Sequence, residues 1–154
     1  MSKILRLAFI AALIMVAACS KGPDVSGDPK KMLESYIEKS FSIRSVDDRK
    51  DLAQYLSGET QRKLLAWSDD QFRLAFIETK RVFQKLLVRE IKKLSAAEVS
   101  ITYELVYLDQ NRGKDAKVTS KKLASLLLQD SKWTISEVKN IKEVVEYRNE
   151  MSLP

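Results

Sequence analysis

Four kinds of hydrophobic patterning succeed one another along the chain. Leu7 to Ala18 is an uncharged run rich in Leu, Ile, Ala and Met, preceded by the basic residues Lys3 and Arg6. A membrane-crossing helix needs about 20 apolar residues, so this run is too short to span and has the proportions of a signal-peptide core. Residues 20–28 are polar and hold Gly22, Pro23 and Gly27, the composition of a tether. Nine extended residues reach roughly 30 Å. Helical spacing follows. Asp28-Pro29 reads as N-cap and first helical position, and Met32, Leu33, Tyr36, Ile37 and Phe41 predict a helix to about Ser40. Ser45 with Asp48 resembles a capping box before Leu52, Tyr55 and Leu56, with Gly58 placed to end that helix. Residues 59–66 predict a short third helix burying Leu64, Leu65 and Trp67. Ser68 with Gln71 predicts a capping box for a fourth, carrying Phe72, Ala75 and Phe76.

From residue 97 the period changes to two. Val99, Ile101, Tyr103, Leu105 and Tyr107 alternate with Ser100, Thr102 and Glu104, a half-buried strand. Residues 109–115 form a turn with Asn111 and Gly113 for left-handed positions. Residues 116–128 make a second strand, polar at first and apolar at Leu126-Leu127-Leu128. A tight turn at 129–132 leads to a third strand, Trp133 to about Ile141, with Trp133 and Ile135 on one face. Val144, Val145 and Tyr147 extend it or pack as a short helix. Residues 82–94 satisfy both periods. As a helix they continue the spacing Phe76, Phe83, Leu87, Ile91, Leu94. As a strand they put Leu86 and Val88 on one face and Leu87, Arg89 and Ile91 on the other. Helices followed by a run of strands give an α+β fold, N-terminal helices on a curved antiparallel sheet, as a single domain over 29–154.

Composition narrows the function. The content is 45% hydrophobic and 31% charged, that of a globular chain. Lys3 and Arg6 are two of the 27 basic residues, and residues 1–18 hold none of the 21 acidic ones, so the remainder keeps a net charge near +4. That excess is spread out, with no dense basic stripe, and gives no ground for nucleic-acid binding. There is no histidine, hence no imidazole base and no usual zinc site. No glycine-rich phosphate loop occurs, and no cofactor is expected. Asp47, Asp48, Asp51, Asp69 and Asp70 sit at predicted helix starts, where they complement the helix dipole rather than hold a metal.

Val16-Ala17-Ala18-Cys19, at the end of the apolar run, resembles the lipobox of bacterial lipoproteins: an aliphatic residue, two small residues, then the one cysteine of the chain. The resemblance implies that residues 1–18 are a signal peptide recognised through Val16, Ala17 and Ala18. It also implies that Cys19 carries diacylglycerol and an acylated amine, and that 19–28 tether the domain to the membrane. Ser20 after it implies the outer membrane, with the domain facing the periplasm. Lipidation would use the one thiol, so no disulfide is available.

The strand Ala97 to Leu105 and the stretch Leu126-Leu-Leu-Gln-Asp-Ser-Lys-Trp-Thr-Ile-Ser-Glu-Val138 resemble the long strand and closing hairpin of the nuclear transport factor 2-like superfamily. The resemblance covers about residues 29–147 and implies a cone-shaped domain. In that family a strand precedes the meander, which selects strand for 82–94. Tyr36, Phe72, Phe76, Tyr103 and Trp133 then line the cone or fill its core. The expected function is that of a non-enzymatic, lipid-anchored envelope protein, binding a small apolar ligand or an envelope protein partner. The alternatives are an enzyme pairing a carboxylate with a tyrosine in the cone, or a carrier of lipid-like molecules. Glu104 alternates away from Tyr103, so no catalytic residue is assigned.

Overall fold

The computed structural model describes residues 27–147. Helix α1, Pro29–Ser42, starts as the sequence predicts: the Asp28 side chain accepts from the Lys30 N–H at 2.9 Å, and Pro29 occupies the first turn. Its buried face carries Met32, Leu33 and Ile37. Helix α2 is short, Asp48–Ala53. Only half of its expected capping box forms. The Asp48 carboxylate accepts from the Ser45 N–H at 3.0 Å, while no side chain caps the helix in return.

Helix α3 is Gly58–Ala66. Gly58 therefore opens α3 instead of ending α2, with a left-handed φ of +60°. Between the two helices the chain pairs briefly with a strand. Ile135 donates to the Tyr55 carbonyl at 2.8 Å, and Ser57 donates to the Ile135 carbonyl at 2.9 Å. That pairing takes Tyr55 and Leu56 out of helix. Leu64 is buried in α3, but Leu65 and Trp67, expected inside, are exposed. Helix α4, Asp69–Phe72, carries the full Ser68–Gln71 capping box and runs into a π-helical turn at Arg73–Ile77.

The other half is a four-stranded antiparallel meander in the order β1-β2-β3-β4, so the fold is α+β. The strands are β1 Arg81–Ser95, β2 Glu98–Asp109, β3 Lys117–Gln129 and β4 Lys132–Glu146. Residues 82–94 are thus a strand, and Val144 and Val145 continue β4. The β3–β4 hairpin turns on Asp130 and Ser131, both at positive φ, the conformation a two-residue hairpin needs to match strand twist. In the 109–115 turn only Gly113 has positive φ; Asn111 does not.

Beta-bulges correct one expectation. The pairing steps from Val88 opposite Tyr103 to Glu90 opposite Thr102, leaving Arg89 as the extra residue. Side-chain phase flips there, and Ile91 pairs with Ile101 on the face of Leu86 and Val88, not on the face opposite. The core lies between this face and the helices. Val99, Ile101, Tyr103, Leu126, Trp133 and Ile135 from the sheet meet Met32, Leu33, Ile37, Ile43, Leu52 and Phe72. Helix α1 crosses the sheet, touching both β1 and β4.

Candidate functional site

The helix-covered face is not filled along its whole length. Below the C-terminal half of α1 lies a cavity of about 210 Å³. Helical spacing turns Tyr36, Ile37, Ser40 and Phe41 toward it. Its floor is the inward row of β2, namely Tyr103, Leu105 and Tyr107, with Lys122 from β3 and Val138 from β4. Phe76, in the π-helical turn, and Arg81, at the exposed start of β1, close its sides. A hollow of about 70 Å³ shares Ser40, Phe41, Phe76 and Arg81 with it and adds Arg44, Ala75, Ile77 and Thr79.

Aromatic rings set the shape. Phe41 stands edge-on to Phe83 at 5.5 Å between centroids and is tilted against Tyr107 at 5.9 Å. The Arg81 guanidinium lies 5.8 Å from the centre of the Tyr107 ring, a cation–π distance. Burial pushes the Tyr36 phenol above its ordinary range. Burial, and then the neighbouring Tyr36 phenol, does the same to Tyr103. Both are neutral hydroxyls at any physiological pH, able to donate a hydrogen bond.

Lys122 is the unusual wall residue. It is half-buried, and desolvation disfavours its ammonium; Glu143 attracts the charge and Arg81 opposes it. Its Nζ donates to Asn140 Oδ1 at 2.7 Å. Glu143 in turn is held by Arg112 at 2.8 Å, and Arg112 also reaches Asp109 at 3.3 Å.

The residues singled out from the sequence divide into two groups. Tyr36, Phe76 and Tyr103 line the cavity. Phe72 and Trp133 belong to the core: Phe72 is fully buried and stacks on Phe76 at 4.9 Å, and Trp133 is buried at the start of β4. Glu104 stands on the other face of the sheet, paired with Arg89 and in register with Lys121. Asp48 and Asp51 pair with Lys39, Asp69 with Arg49, and Asp70 with Arg73. Among the described residues, no three carboxylates gather as a metal site. Val16, Ala17, Ala18 and Cys19 lie outside the described residues.

Lys122, Arg81 and Phe41 were not singled out as site residues by the sequence. The signal for Lys122 was there. Leu126 is a core position, and stepping back by two gives Ala124, Lys122, Ser120 and Val118 on the same face.

No protein-family model matches the sequence, and no curated protein does. Among solved structures the chain is similar to the solution structure of a SEC-C motif containing protein from Rhodopseudomonas palustris. The TM-score is 0.53 at 13% identity, over 76% of this chain and 81% of that one. At that identity the likeness is one of fold.

Proposed function

We propose that this chain is a lipid-anchored bacterial envelope protein whose single domain, a nuclear transport factor 2-like cone, binds a small apolar ligand without transforming it. The cavity carries this reading. It lies between helix α1 and the sheet, and it brings aromatic and aliphatic side chains together with the polar groups of Tyr36, Ser40, Arg81, Tyr103, Tyr107 and Lys122, a mix that can hold and orient a small ligand. Its size sets the scale of the ligand. A cavity of ~150 Å³ already accommodates benzene, whereas drug-sized molecules occupy ~300 Å³ or more. A compound slightly larger than a single ring therefore suits about 210 Å³. This favours a small ligand over a long-chain lipid cargo.

The non-enzymatic reading rests on where the acids are. The enzyme alternative pairs a carboxylate with a tyrosine inside the cone, and among the described residues no Asp or Glu lines the cavity. The lipobox resemblance of Val16 to Cys19 supplies the address: outer membrane, domain toward the periplasm. The test is native mass spectrometry of the full-length protein extracted in detergent from its own cells. The expected result is a copurified small molecule, released on unfolding. Protein that emerges with lipid anchor alone, and that binds nothing from a library of ring-sized compounds, would turn the reading toward a scaffold for protein contacts.

A further inference from the structure

Among the described residues, the lining of both hollows includes cations and no acid. Lys122 and Arg81 line the larger; Arg81 and Arg44 line the smaller. Arg81 and Lys122 approach from β1 and β3 across the β2 floor, and the charge on Arg81 works against the Lys122 ammonium. Among the described residues neither forms an ion pair. Glu143, which attracts the Lys122 charge more than Arg81 repels it, is itself engaged by Arg112. Lys122 uses one N–H on Asn140, and an ammonium has three. Two cations facing one partly desolvated space repel each other, and an anion placed between them reverses the sign of that interaction. Among the other walls, Phe41, Phe76, Leu105 and Val138 offer an anionic ligand's body apolar contact.

We propose that the cavity recognises a small apolar carboxylate. Its carboxylate lies between Lys122 and Arg81, and its ring or short hydrocarbon body lies against Phe41, Phe76 and Leu105. The inference rests on the reading of the cavity as a ligand site and names its ligand class. A guanidinium offers a fork matched to two carboxylate oxygens, an ammonium adds a point charge, and the neutral Tyr36 and Tyr103 hydroxyls donate without adding charge. That set suits one negative charge on a small body. The cavity volume, about 210 Å³, suits a short body better than a long acyl chain.

The test uses full-length protein in detergent and three probes: phenylacetate, its uncharged isostere phenylacetamide, and dodecanoate. Calorimetric titration should show phenylacetate binding at least tenfold more tightly than the amide, with dodecanoate weaker than phenylacetate. Arg81→Gln and Lys122→Met should each lower phenylacetate affinity about tenfold and lower that of the amide far less, so that the preference for acid over amide falls, while Lys122→Arg keeps most of the preference. Arg81 is exposed, so its replacement leaves the fold intact and serves where Lys122→Met does not fold. Equal binding of acid and amide overturns the carboxylate assignment and leaves the ligand site standing. Stronger binding of dodecanoate overturns the size limit and with it the small-acid class. Binding of none of the three overturns both the assignment and the reading beneath it.

Discussion

Asp48 shows how much one side chain organises. One carboxylate oxygen accepts from the backbone N–H groups of Arg44 and Ser45, both at 3.0 Å, and the other accepts from Lys39 Nζ at 3.2 Å. The two backbone bonds, then the lysine, hold its pKa down from the ordinary 3.8 to about 2. A carboxyl depressed on folding stabilises the native state above its unfolded pKa, and that stabilisation is lost as pH falls through the folded value. At ~1.4 kcal/mol per unit, reduced for the partial exposure of the pair, Asp48 contributes about 1–2 kcal/mol at neutral pH. Asp48→Asn should cost that much in urea unfolding at pH 7, and the gap from the unmodified chain should close between pH 4 and pH 2. A gap that stays constant over that range would show that ionisation of Asp48 does not stabilise the fold. The Ser45–Asp48 spacing was legible in the sequence as a helix start. Its attachment to Lys39, from a different helix, was not, because only packing brings α1 beside α2. Lys122 was hidden for another reason: polar residues on the inward row of a strand break the alternation by which a buried face is recognised.

At the level of elements, helix starts and strand alternation were read more readily than the joints between them. The Ser68–Gln71 capping box and the Asp28-Pro29 start rest on contacts two or three residues apart, so local sequence contains them. The β1 bulge at Arg89 depends on a pairing with β2, and no local pattern predicts which face Ile91 takes. Gly58 makes the same point. A glycine after a helical pattern reads as a helix end, yet it is the chain's pairing with Ile135 that sets its role. Its φ of +60° costs an L-residue roughly 1–2 kcal/mol, and a Cβ there meets nothing within 4 Å. Gly58→Ala should therefore destabilise by about 1 kcal/mol through backbone strain alone. Gly58→Asn, which tolerates the left-handed region, should cost less. Thermal melts of the two variants check the order. An alanine variant as stable as the unmodified chain would mean that the α2–α3 junction relaxes without loss.

For the whole molecule, the proposed anchor and the cavity share one element. Asp28 caps α1, and about two turns later the same helix presents Tyr36, Ile37, Ser40 and Phe41 to the cavity. In the proposed function, attachment is through the lipid on Cys19. Each buried methylene contributes ~0.8 kcal/mol; one acyl chain holds a protein marginally, and several hold it firmly. Cys19→Ser removes every chain at once. The variant should take up no radiolabelled fatty acid and should keep residues 1–18, migrating as the larger, unprocessed form. The fold should survive, because the described core begins at Met32, well beyond the substitution. Its melting temperature and its affinity for phenylacetate should therefore match those of the lipidated protein in the same detergent. Label still incorporated into the serine variant would mean that Val16 to Cys19 is not a lipobox. A variant that loses label but also loses phenylacetate affinity would mean that the lipid, or the segment carrying it, belongs to the ligand site, and address and recognition would no longer be separable functions.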